Sequence, residues 1–145
     1  VRNFCITSGY TPVLFDAVDS DGFPIYHTNV MMCVGTNFVV ICLDAIPDAG
    51  DLKDVCQSIL STGKEIIPIG MEQMNQFAGN MLEVKNTAGE ALLIMSSQAY
   101  LSLSQPIISA LEKHCKILHT PLYTIEAAGG GSARCMLAEI HLPMR

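Results

Sequence analysis

Tryptophan is absent from this 145-residue chain, and aromatic residues make up only 6% of it. That leaves too few rings for a base-stacking platform of the kind single-stranded nucleic acids use. Cations are scarce too: 8 Lys and Arg stand against 14 Asp and Glu, a formal charge of −6. Nucleic acid is therefore not expected as a partner, because phosphate binding draws on clustered positive charge. Charged residues of both signs reach only 15%, half of the chain is hydrophobic, and mean hydropathy is +0.36. Disorder driven by excess charge is excluded by that balance. Long apolar runs are also missing. The longest, Phe38 to Leu43, has six residues against the roughly 20 needed to span a bilayer. No basic stretch followed by an apolar one opens the chain, so neither a membrane nor export is expected. The first residue is Val1, in mid-pattern, which suggests a piece of a longer protein. No CxxC occurs among the cysteines at 5, 33, 42, 56, 115 and 135, several of which lie inside apolar runs. They read as reduced thiols of a cytoplasmic protein rather than as a disulfide framework.

What is present is a pattern of short strands and amphipathic helices within the length of one domain, residues 1–145. Val30–Val34 and Phe38–Leu43 predict two strands joined by a hairpin at Gly35-Thr36-Asn37. Leu52, Val55, Cys56, Ile59 and Leu60 fall on one face of a helix over 51–62, with Asp51 as N-cap and Gly63 just past its end. Glu65–Ile69 returns as a strand, with Pro68 marking an edge. Met81–Val84 and Ala91–Met95 then repeat the hairpin around Asn86–Gly89. Ser104-Gln105-Pro106 opens a second helix, Ile117–Ile125 reads as extended, and Cys135–Leu142 as a last strand.

The repeat is written in the residues. Asn29 to Leu43 aligns on Asn80 to Met95, with one residue inserted in the second turn, and Cys135 would begin a third copy. Self-similarity at a fixed period means equivalent units stacked on one another. The residues opening equivalent strands, His27-Thr28-Asn29, Gly79-Asn80 and Arg134-Cys135, are then expected to converge.

Of the six thiols, Cys135 stands apart. It follows Gly129-Gly130-Gly131-Ser132-Ala133-Arg134. Three glycines in a row imply a positive φ or a very close approach to a ligand, and Arg134 places a cation beside the sulfur, which favours the nucleophilic thiolate. The other five cysteines read as core. His27 is the imidazole the repeat brings toward Cys135, and a Cys–His couple from distant positions is a nucleophile with its acid–base partner. A strand-end histidine facing solvent remains the alternative for His27. His114, Cys115 and His119 match no zinc template, so neither metal nor cofactor is expected. The scattered methionines read as core filler rather than as copper ligands. Asp44 and Glu126 are expected at solvated strand ends.

His27-Thr-Asn-Val-Met-Met, Gln73-Met-Asn-Gln-Phe-Ala-Gly-Asn80 and Gly-Gly-Gly-Ser-Ala-Arg-Cys135-Met together resemble the guanidino-group modifying superfamily. This groups arginine and agmatine deiminases, dimethylarginine dimethylaminohydrolases and glycine amidinotransferases. The nearest likeness is to its amidinotransferase-like, citrulline-utilisation hydrolase branch. The resemblance runs from about Phe15 to the C-terminus and implies the pentein fold, an α/β propeller of five ββαβ modules. Two to three modules fit in this length, so the chain looks like the C-terminal half of such an enzyme. A missing N-terminal half or a homo-oligomer is expected to complete it.

The resemblance further implies Cys135 as nucleophile and His27 as acid–base. The substrate is a small guanidino or ureido compound bound by Asn29, Asn80, Gly130, Gly131 and Arg134. Where arginine deiminases carry His-x-Asp this chain has Asn29, a neutral amide, which favours a ureido, citrulline-like group over a cation. The expected reaction is hydrolysis of a C–N bond. An amidinotransferase and a non-catalytic module of the same fold are the alternatives.

Overall fold

The computed structural model describes residues 1–139. A short helix, α1 (Arg2–Ser8), ends at Gly9 in the left-handed region and leaves Phe4, Ile6 and the following Tyr10 exposed. An irregular stretch follows, pinned by a bridge between Val18 and Pro24 and by the Asp19 carboxylate, which accepts the backbone N–H groups of Asp21 and Phe23.

The first module begins with a single helical turn, α2 (Thr28–Met31), and continues into β1 (Met32–Val34) and β2 (Phe38–Cys42). Val30 and Met31, expected in a strand, are therefore helical. The apolar run alone could not reveal this, because a short apolar stretch suits either structure. A 3-10 turn (Leu43–Ala45) leads to α3 (Ala49–Ser61) and β3 (Glu65–Ile69). The α3 cap lies three residues earlier than expected. Asp48 accepts the Asp51 N–H at 2.9 Å, so Asp51 belongs to the first turn. Gly63, at φ 76°, follows the helix end as expected.

A connecting helix, α4 (Met71–Asn75), precedes the second module. This comprises β4 (Leu82–Lys85), β5 (Ala91–Ser96), helices α5 (Ser97–Ser102) and α6 (Gln105–Glu112), and β6 (Lys116–Thr120). Each module is a three-stranded sheet with the same topology. The first pair is antiparallel and the third strand runs parallel to the middle one, giving orders β1-β2-β3 and β4-β5-β6. The ββαβ unit expected from the resemblance is thus present twice, in a mixed α/β fold.

Two expected elements differ. Only Lys116–Thr120 of the extended stretch is strand, and Tyr123–Gly129 forms α7. Cys135 opens no strand: Ala133–Met136 is a 3-10 turn, residues 137–139 are irregular, and 140–142 lie outside the described residues. Glu126, expected at a solvated strand end, is instead buried in α7.

All five residues of β2 are buried, as befits a strand covered on both faces. Its side chains join Met31, Ile67, Met81, Leu93, Met95 and Leu111 in one core shared by both modules. Polar links also cross between modules. The Glu83 carboxylate on β4 accepts the backbone N–H and the hydroxyl of Thr36, and His114, just past α6, pairs with Glu65 on β3 at 2.9 Å while stacking on Phe38. Gly35 is required at the hairpin, since a Cβ there would lie within 2.7 Å of the Phe38 ring and the Glu83 carboxylate. Among the described residues no helix is long and apolar enough to cross a membrane.

Candidate active site

Three distant segments meet at one sulfur. The first is α2, whose N-cap is His27 and whose second residue is Asn29. The second is Phe77-Ala78-Gly79-Asn80, which opens the second module. Phe77 adopts φ 65°, a rare conformation for a bulky residue, and so turns the chain after α4. Gly79 then lies against the α2 backbone so closely that a Cβ would stand 2.4 Å from the Val30 carbonyl oxygen and 2.7 Å from the Met31 carbonyl carbon. Only glycine admits that approach.

The third segment is the glycine run. Gly130, at φ 64°, terminates α7 by donating its N–H to the Glu126 carbonyl. Gly131 packs on Cys135, with its missing Cβ position 3.1 Å from the sulfur. Gly130 thus shows the positive φ expected of the run, while Gly131 approaches the Cys135 side chain closely.

Cys135 is an exposed residue held from below. Asn80 Nδ2 donates to its Sγ at 3.1 Å and Asn29 Nδ2 at 3.5 Å. The Asn80 amide also donates to the Asn29 carbonyl at 2.9 Å, and its Oδ1 accepts the backbone N–H of Arg134 at 3.0 Å and of Cys135 at 3.4 Å. Asn80 is only 3% exposed, and all its polar capacity is spent on protein groups. Its amide lies beneath the thiol.

The Arg134 side chain has partners of its own. Its guanidinium reaches the Leu137 carbonyl at 3.2 Å and the Glu139 carboxylate at 3.6 Å, so the groups bonded to the sulfur are amides rather than a cation. His27 is exposed, and its imidazole makes no hydrogen bond among the described residues. It caps the N-terminus of α2, two residues ahead of Asn29 in the chain. A cleft of about 280 Å³ runs alongside, lined in part by Thr28, Asn29, Cys33, Glu83, Arg134 and Glu139. Neither Cys135 nor His27 lines it.

The remaining thiols contrast with Cys135. Cys5, Cys33, Cys42 and Cys115 are buried, and Cys56 is partly so. Burial, reinforced by the neighbouring Glu83 carboxylate, pushes Cys33 up to about 12 and Cys115 up to about 11; burial likewise raises Cys42. These thiols stay protonated and inert at neutral pH. One supporting pair escaped the sequence reading. Ser132 Oγ donates to the buried Glu126 carboxylate at 2.6 Å, anchoring the loop three residues ahead of the sulfur. A glutamate in an apolar helix turn, followed by a serine after glycines, was its only trace.

The family model for eukaryotic N,N-dimethylarginine dimethylhydrolase matches residues 1–142. The chain belongs to that family. The dimethylarginine hydrolases are among the members of the guanidino-group modifying pentein superfamily that the motifs resemble, beside the citrulline-utilisation branch. Among solved structures, the N-terminal domain of an ArgZ variant with a covalently bound reaction intermediate superposes with a TM-score of 0.69 at 20% identity. The overlap covers 93% of this chain and 44% of that domain. Apo ArgZ, a cyanobacterial arginine dihydrolase, gives 0.60 at 20% identity over 83% of this chain and 17% of its own. AgrE, solved with ornithine and NAD+, gives 0.63 at 20% identity over 89% and 17%. The family chain described here therefore spans less than half of the ArgZ domain it matches. These likenesses establish the shared fold. No curated protein matches the chain significantly.

Proposed function

We propose that the chain carries the nucleophile of a hydrolase acting on a guanidino or ureido carbon of an arginine-like amino acid. The observation that carries this reading is an exposed thiol, cradled by two asparagine amides, in a member of the dimethylarginine hydrolase family. In this reading the Cys135 thiolate attacks the planar carbon and forms a C–S bond. His27 protonates the departing amine as the C–N bond breaks. A water, deprotonated by His27, then displaces the sulfur and regenerates the thiolate, releasing a ureido product from a guanidino substrate or a carbamate from a ureido one. For a dimethylated guanidinium the balance is substrate plus water giving a citrulline-type product plus dimethylamine.

Asn29 lines the cleft beside the sulfur, where its side-chain Oδ1 can accept from a substrate N–H. The test uses 2-chloroacetamidine, a guanidinium mimic with a leaving group, followed by peptide mapping, together with product assays on dimethylarginine, arginine and citrulline. The expected result is one adduct, on Cys135, and turnover that is lost in both Cys135→Ala and His27→Ala. An adduct distributed over several cysteines, no adduct on Cys135, or turnover surviving Cys135→Ala overturns the reading.

A further inference from the structure

We propose that Asn80 is a positioning residue that sets the reactivity of the Cys135 thiol, rather than a ligand for substrate; this rests on the reading of Cys135 as nucleophile. The saturated amide is the first argument. Its oxygen holds the two consecutive backbone N–H groups of the segment that carries the sulfur, and one of its N–H groups ties that segment to the Asn29 carbonyl on α2. The remaining donor is aimed at Sγ, at a shorter distance than the Asn29 amide achieves. Nothing is left to bind a ligand, and the residue is buried.

The second argument is the backbone built to place it. Phe77 is held at positive φ and Gly79 is pressed against the α2 backbone, two demanding conformations within three residues of Asn80. A merely solvated strand start needs neither. A donor on the sulfur favours the ionised form, and the thiolate is the reactive form. Since the Arg134 guanidinium is bonded elsewhere, this amide supplies the stabilisation that the sequence suggested a cation would give. Aspartate at this position keeps the shape and the acceptor but replaces the donor with a negative charge facing the sulfur.

The experiment measures iodoacetamide alkylation of Cys135 against pH, read by peptide mapping on the full chain, in the native protein, Asn80→Asp and Asn80→Ala. The expected result is a midpoint raised by a pH unit or more in Asn80→Asp, with about a tenfold slower reaction at pH 7 and an unchanged plateau at high pH. Asn80→Ala is expected to move the midpoint in the same direction by less. Protection of Cys33 and Cys115 reports folding in the same maps. Should Asn80→Asp lose that protection, Asn80→Ser, which keeps a donor on a shorter arm, carries the test, with an intermediate midpoint expected. A folded variant whose midpoint does not move, whatever its melting temperature, overturns the proposal. Alkylation needs no turnover, so that outcome leaves the hydrolase reading to the Cys135→Ala assay, and a failed assay leaves the Asn80 result standing.

Discussion

Strands β3 and β6 occupy equivalent places in the two modules, each parallel to its own central strand, yet their surroundings differ. In β3, Ile67 and Ile69 are buried, and the strand is flanked by α6 of the following module, with His114 on Glu65. In β6, four of the five residues are exposed and none is buried. A module of this kind therefore completes its core with the next module along the chain, as stacked repeats do. The module openings differ in a matching way. Asn29 and Asn80 are repeat-equivalent, but Asn29 stands half-exposed at the cleft while Asn80 is sealed beneath the sulfur. Equivalent positions have been put to unequal use.

The sharpest way to break this comparison is Gly79→Ala. Its Cβ would collide with the α2 backbone, where no flexible side chain can yield, and a loss of about 3 kcal/mol or more is expected in urea denaturation. Gly70→Ala, where a Cβ meets nothing within 4 Å, is expected to cost no more than about 1 kcal/mol. Equal losses would mean that the two modules are not held together at Gly79.

Strand surroundings give the next largest effect. Ile67→Ala in β3 is expected to cost about 2–4 kcal/mol, because it opens a cavity in a shared core, and Leu118→Ala in β6 less than about 1 kcal/mol. A comparable loss at Leu118 would show that β6 is as well covered in solution as β3.

The smallest effect is alkaline. Cys33 from the first module and Cys115 from the second are both raised above the ordinary thiol value of 9.0, first by burial and then by Glu83. Above pH 9 the unfolded chain releases these protons while the folded chain retains them. The stability they contribute is therefore full below pH 9 and declines as pH rises toward 11 for Cys115 and 12 for Cys33. Urea midpoints at pH 8 and pH 10.5 should fall less steeply in a Cys33→Ala, Cys115→Ala double variant than in the native chain. Parallel slopes would show that these thiols are not shielded.

Much of this was legible in the residues. The repeat from Asn29 to Leu43 and from Asn80 to Met95 marked two equivalent hairpins, because strand alternation and turn glycines are local properties. The periodicity of 51–62 located α3 for the same reason. The isolation of Cys135 behind its glycines was also legible, since three glycines have no packing use. Other features were hidden. The α2 turn and α7 share their composition with strands, and which conformation wins depends on what packs against them. Asp48 rather than Asp51 caps α3 because a neighbouring acid can serve either position until the chain folds.

Composition and local pattern alone determined an acidic, apolar α/β chain of repeated ββαβ units with one thiol set apart, since each of these follows from propensities over a few residues. Only the tertiary structure decided what touches that sulfur. The Arg134 next to it in sequence turns toward Glu139, while Asn29 and Asn80, 106 and 55 residues away, supply the donors. Hydrogen-bond partners are chosen by distance in space, and across modules that distance is set by backbone contacts such as Gly79 on α2, which no local pattern encodes.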